Sequence, residues 1–460
     1  MTRARNTLSF LGATETVTGS RYLIETPNVT VLVDCGLFQG YKSLRLKNWQ
    51  AFPVDPSRID KVLITHAHLD HSGYVPALVK HGFTGEILMT PGTFELCEIM
   101  WFDSAYLLKE EAERANRKGY TKHQPALPLY DEHDVETALS QVRVVEFDAA
   151  VEVSKDVTAT FSHAGHILGA AQLLVQVNET RLLFTGDLGR PHDALMKPPA
   201  AFQDTDILIA ESTYGNRVHP KTDPKEELFD VLSRVLARGG TAVIPAFAVG
   251  RTQAVLLQIH RLMTTNRIPR VPLYLNSPMA NSVTEIYEKY RDEHNLELEE
   301  FNAMYELVQM VRTVDESKAL NEDEGSKIII AASGMITGGR VLHHVNRFGK
   351  DPKNAIVLTG YQAGGTRGRA LANGEKSLRI FGKDVPINAE VVSIDSLSAH
   401  VDLEELIAWL KPAEKAPKMT YLTHGEPEAS DYLRFQIADR LHWPVRVATL
   451  GESIDLDNPS

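Results

Sequence analysis

The chain has 460 residues, of which 43% are hydrophobic and 23% charged, and a formal net charge of −12. That length exceeds one ordinary core and predicts two to three domains, with the composition of a globular chain rather than a disordered or fibrous one. No apolar run approaches the ~20 residues of a membrane helix. Leu8-Ser9-Phe10-Leu11 is too short for a signal-peptide core, and Cys35 and Cys97 alone imply no disulfide framework. The expectation is a cytoplasmic protein without membrane association. The acidic balance argues against nucleic-acid binding by the whole surface and leaves room for a local site.

Strand signals crowd the first part of the chain. Tyr22-Leu23-Ile24, Val29-Thr30-Val31-Leu32-Val33, Val62-Leu63-Ile64 and Glu86-Ile87-Leu88-Met89 are β-rich runs that end at turn residues such as Gly36, Pro91 and Gly92. The charged stretch 109–122 predicts a solvated helix. Gln172–Val177 and Arg181–Phe184 flank an Asn178-Glu179-Thr180 turn and predict a hairpin, and Asp206–Ala210 leads into Glu211. From about 213 to 370 strands alternate with helices: Thr241–Ile244, a helix near 252–263, Val271–Leu275, a helix near 283–290, Lys327–Ala331 and Ala355–Leu358. That order predicts a parallel, Rossmann-like sheet with its own core. Strands return at Leu378–Ile380 and Glu390–Val392, followed by a helix at 402–410, the strand Met419–Leu422 and a fraying tail over the last ten residues. The simplest account is one α/β domain interrupted by another, with boundaries at 1–212, 213–370 and 371–460.

Thr65-His66-Ala67-His68-Leu69-Asp70-His71 places four metal-binding side chains within six residues, directly after an apolar run. Imidazoles and a carboxylate at this spacing suit zinc, which takes N and O ligands at about 2.0–2.2 Å. One segment cannot close two tetrahedral sites, so further ligands must come from elsewhere. His166 in a glycine-flanked turn, Gly186-Asp187 and His424-Gly425 each sit beside a predicted strand, where α/β sheets present their chemistry. A lone loop histidine is more often a surface or satisfied core residue; it is the joint occurrence that favours a metal site.

Asp34, His66-x-His68-x-Asp70-His71, His166, Asp187 and His424 resemble, in this order, the motif set of the metallo-β-lactamase fold. Glu211-Ser212-Thr213-Tyr214-Gly215 and Ser398-Ala399-His400-Val401-Asp402 resemble two further motifs of its β-CASP branch. Pro245–Arg251, Ala332–Met335 and Gly360–Thr366 are similar to that branch's inserted domain. The likeness covers nearly the whole chain and is nearest to the pre-mRNA 3′-end cleavage nucleases and their shorter bacterial relatives.

The resemblance implies an αββα metallo-β-lactamase sandwich interrupted by a Rossmann-like β-CASP domain. It also implies two zinc ions, one held by His66, His68 and His166 and the other by Asp70, His71 and His424. Asp187 would bridge them, and Asp34 would sit behind the ligands and orient them. Two metals about 3.5–4 Å apart can share a hydroxide and clamp a phosphate. The implied reaction is hydrolysis of RNA in processing or decay, leaving 5′-phosphate and 3′-hydroxyl ends. His400 is the candidate general acid, with Glu211 holding its ring. Ser398, Ala399, His400, Val401 and Asp402 are candidates for substrate contact near a helix start, which favours anions. Arg251, Arg340, Arg367 and Arg369 lie in glycine-rich loops, and Arg367 is carried as the phosphate-binding candidate.

Three rival readings follow from the same residues: a hydrolase of thioesters, lactones or β-lactams, a DNA nuclease, and a catalytically silent RNA-binding scaffold. The inserted domain speaks against the first and the complete ligand and Glu211/His400 sets against the last. Single-stranded RNA is the expected partner. Endonuclease against 5′ exonuclease action stays open, as does oligomeric state, a homodimer included.

Overall fold

The computed structural model describes residues 6–119, 123–277 and 279–458. It divides into two compact units. One comprises the chain up to His192 with Pro198–Val218 and the segment from His400 onward; the other comprises Asp193–Lys197 with His219–Ala399.

The first unit is built on two seven-stranded sheets. In one, the strands run Ser453–Asp455, Thr7–Phe10, Tyr22–Glu25, Thr30–Val33, Lys61–Leu63, Glu86–Met89, Val142–Val144. In the other the order is Val445–Val447, Met419–Thr423, Ile207–Glu211, Thr180–Phe184, Ala171–Val177, Val157–His163, Ala150–Ser154. Alternate residues of both sheets, among them Leu8, Phe10, Val31, Phe161, Leu173, Phe184 and Tyr421, meet in one buried apolar cluster. The opposite face of the second sheet, through Leu183, Leu208, Ala210 and Leu422, packs against the helices Leu403–Leu410 and Pro427–Leu441. Helices outside and sheets inside give the αββα sandwich that the resemblance implied. The parallel strands read as continuous apolar runs because both their faces are covered.

One expectation fails, at the chain's end, and another, the solvated charged helix, holds as part of a longer helix. The segment beginning at Ser453 is a strand paired antiparallel with Thr7–Phe10, not a fraying tail. Its Ile454 and Leu456 enter the core, each burial contributing ~1.5–3 kcal/mol, while Asn6 donates to Asp457 at 2.8 Å. Pro459 and Ser460 lie outside the described residues. The charged stretch is the last third of a helix, Pro91–Lys118, whose apolar start buries Leu96, Cys97 and Trp101. It ends at Gly119, whose φ of 63° is the left-handed stop that glycine takes at least cost; residues 120–122 lie outside the description.

The second unit holds a six-stranded parallel sheet: Val308–Met310, Leu273–Asn276, Lys327–Ala331, Thr241–Pro245, Ala355–Thr359, Glu390–Ile394. This is the Rossmann-like sheet expected, but it extends further along the chain than 370. Glu390–Ile394 is its edge strand, in register from Ala355↔Glu390 to Thr359↔Ile394, and Ser377–Ile380 pairs with Lys383–Pro386 as a hairpin. The unit therefore ends at Ala399. Strand pattern alone shows that Glu390–Ile394 is a strand; only pairing shows which sheet owns it. No described helix is long and apolar enough to cross a membrane.

Candidate metal centre

The first unit gathers the predicted ligands at the ends of its strands. His66 and His68 lie in the turn after Lys61–Leu63, and the chain then winds into the short helix Leu69–Ser72, which brings Asp70 and His71 round to the same side. The turn is pinned from within: Ser72 Oγ donates to Ala67 O at 2.8 Å, and Trp101 Nε1 donates to Ser72 Oγ at 3.1 Å. Gly36 makes the neighbouring loop fit, since a Cβ there would stand 1.6 Å from Asp70 O. His166 enters from the turn before Ala171–Val177, Asp187 from the turn after Thr180–Phe184, and His424 from the end of Met419–Thr423.

The predicted ligands form two groups of donor atoms, each within 4.8 Å: His66, His68, His166 and Asp187, and Asp70, His71 and His424; a third group, Asp187, Glu211 and His424, overlaps both. In the first, His68 Nδ1 lies 3.1 Å from His66 Nε2 and 3.2 Å from His166 Nε2. Asp187 Oδ2 stands 3.4 and 3.5 Å from those two Nε2 atoms. In the second, His71 Nε2 and His424 Nε2 are 3.2 Å apart, with Asp70 Oδ2 3.5 Å from His424 Nε2. Asp187 Oδ1 lies 3.2 Å from His71 Nε2, so its two oxygens face the two groups.

These separations test whether zinc fits. Ligands bound at 2.0–2.1 Å on a tetrahedron stand about 3.3 Å from one another, which is the spacing seen. Burial, the largest cause, pushes His66 down to about 3 and His68 down to about 4, and lowers His166 well below the ordinary histidine range. Those three rings are neutral and keep a lone pair for a metal. At His71 burial also opposes the charge, but Asp187 and Asp34 outweigh it and raise the ring.

Asp34 lies behind His71. Its Oδ2 is 2.7 Å from His71 Nδ1 and accepts from Thr65 Oγ1 at 2.9 Å, while Oδ1 accepts from Thr65 N–H at 2.8 Å. Asp34 and His424 both have left-handed backbones, φ 56° and 48°, a strain of order 1–3 kcal/mol each that only a surrounding packed structure sustains.

Glu211 is 2% exposed. Its Oε1 accepts from Leu188 N–H at 2.6 Å and Oε2 from Thr213 Oγ1 at 2.5 Å. His400 Nδ1 lies 3.1 and 3.3 Å from the same carboxylate, and its ring centroid is 4.5 Å from that of His166. Burial opposes a charged His400, but Glu211 and then Asp187 outweigh it and raise the ring above its usual range.

The sequence reading missed the two threonines that tie these parts together. Thr65 links Asp34 to His66 Nδ1, 3.1 Å away, and Thr213 links Glu211 to His424 Nδ1, also 3.1 Å away. Their signal was position only: Thr65 directly precedes the dense motif and Thr213 stands two residues past Glu211.

The substrate-contact candidates fare differently. Val401 is a core residue, packed with Leu403, Leu406 and Leu422, so its side chain is not available to a substrate. Asp402 caps the helix Leu403–Leu410 through Glu405 N–H at 2.8 Å, and Glu405 returns the bond to Asp402 N–H. Ser398 and Ala399 end the second unit, Ser398 N–H donating to Asp395 O at 3.0 Å. Arg367, also there, donates to the carbonyls of Arg379, Ile336 and Thr337, and Arg340 to those of Val311 and Arg312. Both guanidiniums tie loops of their own unit together.

Known proteins carry the same organisation. Residues 16–230 match the metallo-beta-lactamase superfamily, 252–371 the Beta-Casp domain, and 384–448 the Zn-dependent metallo-hydrolase RNA specificity domain. The chain is 34% identical to ribonuclease TTHA0252 of Thermus thermophilus, over 91% of this chain and 92% of that one. An RNase J-like protein of Methanocaldococcus jannaschii is 30% identical over 96% of this chain and 98% of its own. The transcription termination factor FttA of Methanosarcina mazei is 30% identical over 97% and 71% respectively. A crystal structure of an Enterococcus faecalis protein of unknown function shares the fold, with TM-score 0.54 and 14% identity over 98% of this chain and all of that one. The chain belongs to the β-CASP branch of the metal-binding metallo-β-lactamase superfamily.

Proposed function

We propose that this protein is a cytoplasmic, dinuclear zinc ribonuclease that hydrolyses single-stranded RNA and leaves 5′-phosphate and 3′-hydroxyl ends. The observation that carries the reading is the pair of donor groups sharing Asp187, with the His400–Glu211 pair against His166. His66, His68 and His166 would hold one ion, Asp70, His71 and His424 the other, and Asp187 both. When bound, two zincs supply hydroxide near neutral pH and neutralise charge building on a phosphate. The relatives named as ribonucleases favour RNA as the substrate, and the two buried, unlinked thiols suit a reducing compartment.

The chain's own side chains do the remaining work. Glu211 takes the Nδ1 side of His400, which leaves Nε2 to give a proton to the departing 3′ oxygen, an otherwise poor leaving group. Leu188 N–H and the Thr213 hydroxyl hold Glu211 still, so the imidazolium is oriented before substrate arrives. Asp34 and Thr65 fix the ring planes of His71 and His66.

The test is purified protein with end-labelled single-stranded RNA, the same strand in a duplex, matched DNA, a β-lactam and a thioester, each with and without chelator. Chelator-sensitive cleavage of the single-stranded RNA to 5′-phosphate products is expected. Turnover of either small molecule with no cleavage of any nucleic acid overturns the reading.

A further inference from the structure

The first unit carries an unusual surface immediately after the Asp34-Cys35-Gly36 loop. Tyr41 is 57% exposed, Leu46 51% and Trp49 58%. Interleaved with them are Lys42, Arg45 and Lys47, and no carboxylate occurs between Asp34 and Asp55. None of the three cations has an ion pair among the described residues. Single exposed apolar side chains need no explanation, but three large ones within nine residues do. The other exposed aromatic pair on a helix of this unit, Tyr432 and Phe435, stands among charges of both signs, Asp431 and Arg434. Only the first patch is purely cationic.

The patch is also held rigid. Asn48 is buried and grips both sides of Phe38, accepting from its N–H at 2.9 Å and donating to its carbonyl at 2.8 Å. The Phe38 ring lies under the Lys47 ammonium and the buried Arg21 guanidinium, 5.1 and 4.9 Å from its centroid. Arg21 in turn donates to Gly36 O at 2.8 Å. The same strand end bonds directly to the ligand turn, Leu37 N–H to Leu69 O at 2.8 Å and Cys35 N–H to His71 O at 2.7 Å. An aromatic-and-cation surface is thus tied to the backbone that presents Asp70 and His71.

We infer that the segment from Tyr41 to Trp49 is a binding platform for unpaired nucleotides of the substrate strand outside the scissile bond, Tyr41 and Trp49 stacking on bases while Lys42, Arg45 and Lys47 meet phosphates. Bases stack on aromatic rings without regard to sequence, and cations track the backbone. In a chain of net charge −12, a local cationic stretch is what lets a polyanion approach. The platform rests on the ribonuclease reading and extends it: affinity depends on strand length beyond the metal centre.

The test measures binding of a long unstructured RNA, and of a short oligonucleotide spanning only the cleavage site, under chelation so that neither is cut. The double variant Tyr41→Ala/Trp49→Ala is compared with wild type and with Phe435→Ala. All three replaced side chains are exposed, and thermal denaturation verifies folding. The platform predicts a roughly tenfold or greater loss of affinity for the long RNA in the double variant, little change for the short one, and no change in Phe435→Ala. Arg45→Ala should lower the salt dependence of long-RNA binding by about one phosphate contact. Wild-type affinity of the double variant for the long RNA overturns the platform, as does equal loss on both lengths. A wild-type dimer that becomes monomeric in the double variant with RNA affinity intact assigns the patch to a second copy and also overturns it. Failure of the ribonuclease reading shows separately, as wild-type protein that neither binds nor cuts RNA.

Discussion

The two units each bury a histidine-centred polar cluster, and the clusters differ in how their nitrogens are satisfied. In the second unit His344 is fully enclosed, its Nε2 accepting from Asn276 Nδ2 at 2.6 Å and its Nδ1 facing Asn321 Oδ1 at 2.9 Å. Asn276 also donates to Ser317 and accepts from Arg340. Amides and hydroxyls complete that network by themselves. In the first unit ring nitrogens face ring nitrogens, His66 to His68, His68 to His166 and His71 to His424, at 3.1–3.2 Å. Convergence of this kind, with His66, His68 and His166 held below the ordinary histidine range by burial, is what a bound cation would complete. A buried histidine signals structure when amides complete it and a metal centre when other histidines and carboxylates converge on it.

Substitutions can break this contrast. Asp187→Ala, which removes the carboxylate facing both groups, should abolish RNA cleavage and lower metal content, while the second unit keeps its unfolding midpoint; unchanged metal content would mean Asp187 is not shared. His400→Ala should keep the metals yet slow turnover ~10²–10⁴-fold, and single-turnover kinetics at saturating RNA reads this directly.

The structural histidine gives a different signature. Burial, ahead of the charge on His343, pushes His344 down to about 4, against ~6.5 for an unfolded histidine. A depressed histidine contributes stability that is present above about 6.5 and lost as pH falls toward 4, up to about 3 kcal/mol in all. His344→Gln should flatten the acid dependence of unfolding in that window, read as the difference from wild type so that titration of the candidate metal centre cancels. A parallel pH profile in the variant would remove His344 from the account. The smallest effect is expected at Thr213→Val, which leaves every candidate ligand in place but frees Glu211 and His424 from their shared hydroxyl. Loss of such a partner costs roughly 10–100-fold in metal affinity or turnover, and turnover measured at saturating zinc separates the two.

How much of this was legible in the sequence depended on whether the signal was local. The convergence of the candidate ligands was, because each follows or precedes a strand within a few residues and four of them share one motif. The sandwich followed from the family resemblance, and the inserted parallel sheet from alternating strands and helices. Pairing was not legible. Ser453–Asp455 is three residues long and its partner begins at Thr7, so nothing near it in sequence marks it as a strand. Glu390–Ile394 reads as a strand anywhere, and its membership of the second unit is decided by register with Ala355–Thr359. Val157–His163 alternates buried and less buried positions with the strand period, a pattern present in the sequence but passed over. Thr65 and Thr213 carry no motif of their own; a hydroxyl becomes informative only when its two partners are known to converge.

The central claim is that the converging donors hold two metal ions, and elemental analysis of the purified protein tests it most directly. The account predicts close to two zinc ions per chain, falling in Asp187→Ala and unchanged in His400→Ala. A metal content near zero in wild-type protein prepared with zinc supplementation would contradict it.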